Sequence, residues 1–466
     1  MVSCVAEKWW KSRTQPNSLS WTSLSFTVGS SSHSLPFGNI FLLAQLHLEI
    51  QCASVFNLAV GFIPPTTLEI FKVSLPLMHA GIMLATGHTW KQQRRFALRT
   101  LRNLGLGKRG LEYRVQEEAH YLVDFFASMK GKPVNPAFPL VHSVSNVICA
   151  VVFGHRFSRE DEAFHDLIKR MLYLGNTGID RLPRTSCVSL PQLYEIFPWL
   201  MSRLPGPHKK ALACYDVLSN FTRREIRMHT EHGAPEELQD FIDFYLDHIE
   251  KVNEPRSTYN EDNMVYSIND LFLGGSETSS TTLNWGLLYM VANPDIQEKV
   301  QKELDAVLGP SKVICYEDRR ELPYTNAVIH EIQRFSNIIS VGMPRVCVRN
   351  TTLLGFPLKK GTIVLPNIAS SLYDPEQWET PRQFNPGHFL DKDGNFVAQE
   401  AFLPFSIGHR VCLGEHLART ELFIFFASLL RAFTFCLPEG VTQVSTEPVM
   451  GGTLQPHPYR LCAIPR

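Results

Sequence analysis

Near its C-terminal end the chain runs Phe405-Ser406-Ile407-Gly408-His409-Arg410-Val411-Cys412-Leu413-Gly414 and then straight into an apolar stretch from Glu415 to Phe433. That stretch is long enough for a helix and hydrophobic almost all round, so it belongs deep in a core rather than on a surface. Cys412 therefore sits at the head of a buried helix, where backbone N–H groups and the helix dipole favour a thiolate over a thiol. Gly408 and Gly414 let the backbone pass close to a large flat ligand, and Arg410 is placed to meet an anion. Two plainer readings stand beside this one. Cys412 can be a packing residue in a Gly-containing turn. Alternatively, His409, Cys412 and His416 can form a metal cluster, since Cys412 and His416 share one helical face. The metal reading lacks a fourth ligand nearby, and zinc sites of this sort draw on paired ligands.

The rest of the chain limits what can surround that loop. Its 466 residues are 44% hydrophobic and 19% charged, a globular composition, and the length suffices for a large core without disulfide or metal staples. Lys+Arg and Asp+Glu number 45 each, so the formal net charge is zero and a nucleic-acid partner is not expected. The ten cysteines are scattered singly with no C-x-x-C pair, which excludes zinc ribbons and thioredoxin-like redox motifs. Apart from Cys412 they read as small buried hydrophobes in a reducing compartment. A spanning helix needs roughly 18 consecutive apolar residues, and no stretch supplies them. Residues 14–48 lack charges but are rich in Ser and Thr; residues 50–63 contain Gln51 and Asn57 and stop at Pro64-Pro65. The first residues also lack the layout of a signal peptide.

The periodicity predicts a mainly α fold with a small β part, forming a single large domain. Helical patterns cover 112–130, 140–153, 161–174, 209–231 and 236–252. A long helix is expected from about Asn263 to Asn293, ended by Asn293-Pro294. Pro294 suits the first position of the next helix, which carries Ile296, Val300, Leu304 and Val307 on one face. Another helix covers 323–336. Strand signals at Thr351–Leu354 and Thr362–Leu365 flank Lys359-Lys360-Gly361, which reads as a hairpin turn. The Ser-rich residues 1–34 differ in composition and are expected to be poorly ordered, without a recognisable membrane anchor.

The pattern F-x-x-G-x-R-x-C-x-G gives the chain its resemblance to a cytochrome P450, and three further motifs follow in the order of that family. Gly274-Gly275-Ser276-Glu277-Thr278-Ser279 matches the oxygen-activation motif. Two glycines inside a helix cost about 1 kcal/mol each relative to Ala, and close helix packing is the plainer reason for keeping them. Glu331-Ile332-Gln333-Arg334 has the E-x-x-R spacing, and Trp90-Lys91-Gln92-Gln93-Arg94 sets an indole donor and a guanidinium one turn apart. The resemblance implies a haem-enclosing fold with haem b (iron protoporphyrin IX) and Cys412 as proximal thiolate ligand of the iron. It implies that Trp90, Arg94, Arg345 and Arg410 contact the haem propionates and that Phe405 and Gly414 belong to the cofactor-binding loop. Thr278 and Glu277 would serve oxygen activation and proton relay. Glu331, Arg334 and His388, the last within Phe384-Asn385-Pro386-Gly387-His388-Phe389, would hold the haem-binding core together.

The likeness runs nearly continuously from about Gly81 to Arg466 and is nearest to the vertebrate microsomal family-two enzymes, J subfamily. It implies a monooxygenase that inserts one oxygen atom from O2 into an apolar substrate. That substrate would be a polyunsaturated fatty acid such as arachidonate, or a xenobiotic. Electrons would come from NADPH–cytochrome P450 reductase, with cytochrome b5 as a further partner, on the cytosolic face of the endoplasmic reticulum membrane. The basic run Lys91, Arg94, Arg95, Arg99, Arg102, Lys108 and Arg109, with no acidic residue from 91 to 109, reads as the docking face. Substrate contacts are expected in the Leu77–Leu84 loop, near Asp270, Phe272 and Gly274, at Ile338–Val341 (Ile339, Val341) and at Val449–Leu454 (Met450). The resemblance breaks at the front, where only Leu35-Pro36-Phe37-Gly38-Asn39 is similar to the family's hinge and residues 35–80 are atypical or shortened. Leu193–Leu204, with Phe197, Pro198 and Trp199, is apolar enough to touch a bilayer. Two alternatives follow: a haem-binding variant impaired by its altered front, or by a wrongly assembled gene model, and a peroxide-rearranging isomerase. The second class dispenses with the threonine that Thr278 supplies.

Overall fold

The computed structural model describes residues 80–466 except 107–108, 177–202, 204, 234, 253, 255–256, 310–311 and 354, together with three short upstream strands: β1 (Phe26–Val28), β2 (Ser31–His33) and β3 (Ile50–Cys52). The expectations for Phe197, Pro198 and Trp199 and, those strands apart, for the chain before residue 80 lie outside the described residues.

Helix α1 (Gly87–Asn103) is amphipathic: Gln93, Phe96, Ala97, Thr100 and Leu101 face inward, while Arg95, Arg99 and Arg102 are exposed. Then follow α2 (Arg109–Ser128), α3 (Ala137–Val152), α4 (Glu162–Asn176), α5 (Pro207–His232) and α6 (Phe241–Val252). Helix α6 starts later than its periodicity suggests because Asp240 ends the preceding turn, its Oδ1 accepting the Asp243 N–H at 3.0 Å. The long helix is α7 (Glu261–Ala292), opened by Asn260, whose side chain accepts the Asn263 N–H at 2.9 Å. Pro294 begins α8 (Pro294–Leu308), and α9 (Pro323–Ser336) ends on Asn337 in the left-handed region, φ 41°. A short α10 (Ile368–Leu372) precedes the buried helix α11 (Glu415–Ala432).

One continuous core runs through α2, α3, α7, α8, α9 and α11, with a satellite of Ala327, Trp378 and Phe389 beside α9. The packing of α7 on α3 is close: a Cβ on Gly275 would stand 2.5 Å from Ile148 Cδ1. The plain reason for a helical glycine therefore holds at Gly275.

The strands are short and peripheral. β4 (Arg345–Cys347) lies between β3 and β7 (Ile363–Val364), antiparallel to both. β5 (Thr351–Leu353) pairs with β6 (Phe356–Leu358) across Gly355, φ +82°. This corrects the hairpin expected around Lys359-Lys360-Gly361. Gly361, φ +87°, instead turns the chain out of β6 and toward β4. β8 (Phe433–Cys436) pairs with β11 (Cys462–Pro465), and β9 (Pro448–Val449) with β10 (Gln455–Pro456). Among the described residues no helix is long and apolar enough to cross a membrane.

Candidate active site

The loop before α11 folds as a tight knuckle. Ser406 N–H donates to Leu403 at 3.0 Å, Val411 N–H to Gly408 at 3.0 Å, and Cys412 N–H to Phe405 at 3.0 Å. Ser406 and Gly408 hold positive φ, 61° and 78°, which aims the chain back on itself. Side chains from distant stretches close on this knuckle. Arg94 Nη2 donates to Val411 O at 2.6 Å, and Arg345 Nη2 to Ser406 Oγ at 2.9 Å and Ile407 O at 3.3 Å. Arg410 reaches outward to Ala85 O at 2.7 Å and Met83 O at 3.3 Å, with its guanidinium carbon 4.1 Å from the centre of the Trp90 ring. Thus Trp90, Arg94, Arg345 and Arg410 are gathered around residues 405–411.

Unlike the fully buried Cys149, Cys412 presents accessible surface, so it is not a packing cysteine. Burial by surrounding protein atoms nevertheless pushes its thiol above the ordinary value, and Glu415 adds to the rise. The Gly414 and Glu415 N–H groups and Arg94 oppose it without cancelling it. The N–H groups at the helix start and Arg94 thus act toward the thiolate, and a cation bound at sulfur would favour it further. Among the described residues His409, Cys412 and His416 do not bring donor atoms together as a metal cluster.

The surroundings fit haem. The buried Trp90 indole N–H has no hydrogen-bond acceptor among the described residues, and the Arg410 guanidinium, a group suited to carboxylates, lies over its ring. A Cβ on Gly414 would meet nothing within 4 Å, and neither would one on Gly274, which is exposed midway along α7. Of the two motif glycines, Gly275 serves packing and Gly274 opens space. One turn on, Thr278 Oγ1 donates to Gly274 O at 2.6 Å, a back-bond that loosens the helix ladder. Glu277 points elsewhere. Its Oε1 accepts from Thr453 Oγ1 at 3.0 Å and Gln455 Nε2 at 3.4 Å, and burial pushes its carboxyl upward against those two hydrogen bonds.

Behind the knuckle, Arg334 and Glu331 are both 0% exposed and joined by two hydrogen bonds of 2.7 Å. The remaining Arg334 donors go to the carbonyls of Leu372 (2.8 Å), Pro381 (2.9 Å) and Gln383 (3.0 Å). Glu331 also accepts from Asn385 N–H at 2.8 Å and from His388 Nδ1 at 3.2 Å. The Thr380 N–H donates to His388 Nε2 at 3.2 Å, which fixes the tautomer with the proton on Nδ1.

Of the residues expected to touch substrate, Ile339, Val341 and Met450 are half-buried. The Leu454 N–H donates to Ile338 O at 2.8 Å and draws their two segments together. Phe272 is a correction: at 1% exposed it packs in the main core, because it lies on the α7 stripe facing other helices. Asp270 clamps the loop before α1, its Oδ2 accepting the N–H groups of Ile82 and Met83, both at 2.8 Å. Burial pushes the Asp270 carboxyl up to about 6 despite those donors. Sequence reasoning took Thr453 only as part of the Val449–Leu454 substrate stretch, and missed Ser406, Gln455 and Glu421. The last is a carboxyl 1% exposed on α11, pushed up to about 8 by burial, with a bond to Ser279 opposing. Its one visible signal was an acid inside an apolar run.

Comparison with known proteins agrees with this arrangement. The family model described as Cytochrome P450 matches residues 66–463. Cytochrome P450 2J2 of Homo sapiens is 43% identical over 462 residues, covering 93% of this chain and 90% of its own length. Cytochrome P450 2J5 of Mus musculus is 42% identical over 461 residues, with the same coverage of 93% and 90%. Cytochrome P450 2K1 of Oncorhynchus mykiss is 42% identical over 397 residues, covering 83% and 76%.

Proposed function

The chain belongs to the cytochrome P450 family and is a haem-thiolate monooxygenase, and from that premise we propose its ligands, partners and working residues. The substrate is an apolar organic molecule, a polyunsaturated fatty acid such as arachidonate or a xenobiotic. One atom of O2 enters it, with electrons from NADPH through NADPH–cytochrome P450 reductase and with cytochrome b5 as a second donor. The enzyme works on the cytosolic face of the endoplasmic reticulum membrane.

When bound, the haem iron supplies the activation of dioxygen and the transfer of oxygen. The protein's share is binding, orientation and proton supply. Cys412 would offer its sulfur to the iron, and the three N–H···O bonds of the knuckle hold the loop that carries it. The Trp90 N–H and the guanidinium groups of Arg94, Arg345 and Arg410 would hold the propionates, and Phe405 and Gly414 would border the ring. The space at Gly274 admits dioxygen. Thr278 holds a hydroxyl beside that space, and Glu277, bonded to Thr453 and Gln455, serves the proton relay. Ile339, Val341 and Met450 line the apolar end of the substrate site. Arg95, Arg99 and Arg102, exposed together on α1, form the reductase face.

The observation that carries this reading is the gathering of Trp90, Arg94, Arg345 and Arg410 on the loop of Cys412. Its test is reconstitution with the reductase, NADPH, arachidonate and labelled 18O2. Product carrying one labelled atom is expected; product whose oxygen comes from peroxide, or no product from a haem-loaded enzyme, overturns it.

A further inference from the structure

The last strand pair brings together two cysteines that lie 26 residues apart in the sequence. Cys436 on β8 stands opposite Cys462 on β11, with Phe435 opposite Ala463 and Thr434 opposite Ile464. Phe435 turns both backbone groups away from β11: its N–H donates to Gln297 Oε1 at 2.7 Å and its carbonyl accepts from Gln297 Nε2 at 2.9 Å. The Arg466 N–H donates to Ala432 O at 3.0 Å. By alternation, Cys436 and Cys462 form a hydrogen-bonded antiparallel pair, a register with Cα atoms about 5.5 Å apart. Disulfides accept Cα separations of roughly 4.4–6.8 Å.

Directly opposed residues send their side chains to the same face, and this is the outer face of the ribbon. Thr434 and Ile464 share it and are exposed, whereas Phe433, Phe435 and Ala463 are buried. Both thiols are free; Cys436 is half-buried and Cys462 is 8% exposed. Cys436 Sγ lies 3.9 Å from the Cys462 carbonyl oxygen.

We propose that Cys436 and Cys462 are a reversible oxidation site at which hydrogen peroxide forms a disulfide that closes the loop 437–461. Cys436, the more accessible sulfur, attacks the peroxide O–O bond and becomes a sulfenic acid, releasing one water. Cys462 then attacks that sulfur, the S–S bond forms and the S–O bond breaks, releasing the second water. Two thiols give up two protons and two electrons, and one peroxide is reduced to two waters. A dithiol reverses the step by exchange, since an accessible disulfide of this kind is readily reduced. Burial, followed by the neighbouring Cys436, pushes the Cys462 thiol above its ordinary value.

The loop so closed reaches the active site. It carries Met450, and its Thr453 and Gln455 hold Glu277, while Leu454 binds both Ile338 O and the Trp285 indole. Fixing its base restrains that whole segment. The proposal does not depend on the substrate or partner assignments above.

The test uses the full-length haem-loaded protein, treated with hydrogen peroxide, alkylated, digested without reductant and mapped by mass. A peptide joining Cys436 to Cys462, lighter by two hydrogens and separated by dithiothreitol, is expected. Cleavage within 437–461 by a protease should slow on the order of tenfold after oxidation, and not in Cys436→Ser, which puts a hydroxyl in place of that thiol and cannot cross-link. Separate alkylation of both cysteines after peroxide, or their separate advance to sulfinic acids, overturns the site. A cross-link with unchanged cleavage overturns the restraint on the loop.

Discussion

Arg334 meets Glu331 with two parallel hydrogen bonds of 2.7 Å, and neither side chain has any solvent exposure. Such a pair is costly to break because the survivor is left as an uncompensated buried charge, at about 3–5 kcal/mol. Glu331→Gln should therefore lower unfolding stability by about that amount and reduce haem content on expression. His388→Gln, which still bonds Glu331 from an amide, should cost far less. Denaturant midpoints and haem-to-protein ratios check both; equal losses in the two variants would place the weight on His388 instead.

The Asp270 clamp makes a pH-dependent prediction. Its folded value, about 6, lies above the ordinary 3.8, so the folded state keeps a proton that the unfolded chain has released. Its stabilising contribution is full below the unfolded value and is lost as pH rises through the folded one. Asp270→Asn keeps an oxygen for the Ile82 and Met83 N–H groups and removes the titration. The wild type should lose up to about 3 kcal/mol more than this variant as pH rises from about 4 to about 7. Glu421 titrates in the same sense over a higher window in both proteins, so the difference between them is the quantity to read. Parallel curves would mean that Asp270 is already charged when folded.

Thr278 is the side chain whose loss should alter chemistry without altering the fold. Its hydroxyl already bonds Gly274 O at 2.6 Å, and Thr278→Ala leaves the helix backbone intact. More of the NADPH consumed should appear as hydrogen peroxide and less as product, while Thr278→Ser should restore coupling. Peroxide yield per NADPH measures this, and an unchanged ratio would remove Thr278 from the proton path.

The exposed arginines of α1 predict a salt effect. Arg99→Gln with Arg102→Gln should slow the first electron transfer from the reductase several-fold at low ionic strength, with the difference fading once the Debye length falls to about 3 Å at 1 M salt. Stopped-flow reduction over a salt series checks it. A constant ratio at all salt concentrations would mean that these residues do not steer docking.

Much of this molecule was legible in the sequence where local chemistry decides. Asn293-Pro294 ends α7 and opens α8, and α9 begins at Pro323, because proline restricts the residue before it and tolerates a helix start. The knuckle was readable because its glycines, arginine and cysteine are adjacent. What stayed hidden depends on register and on burial. No local signal says that β5 turns at Gly355 rather than six residues later, or that Phe272 faces the core while Gly274 faces open space. At Cys412 the helix start is visible in sequence, whereas the desolvation that acts against it is not. The opposition of Cys436 and Cys462 needs two strands set in register.

The central claim is that Cys412 binds haem iron as a thiolate, and the reduced carbon monoxide spectrum tests it most directly. The wild-type protein should show the red-shifted Soret band of thiolate ligation, and Cys412→His should bind haem and lack that band. A wild-type protein that binds haem without the shifted band, or a Cys412→His variant that retains it, would contradict the account.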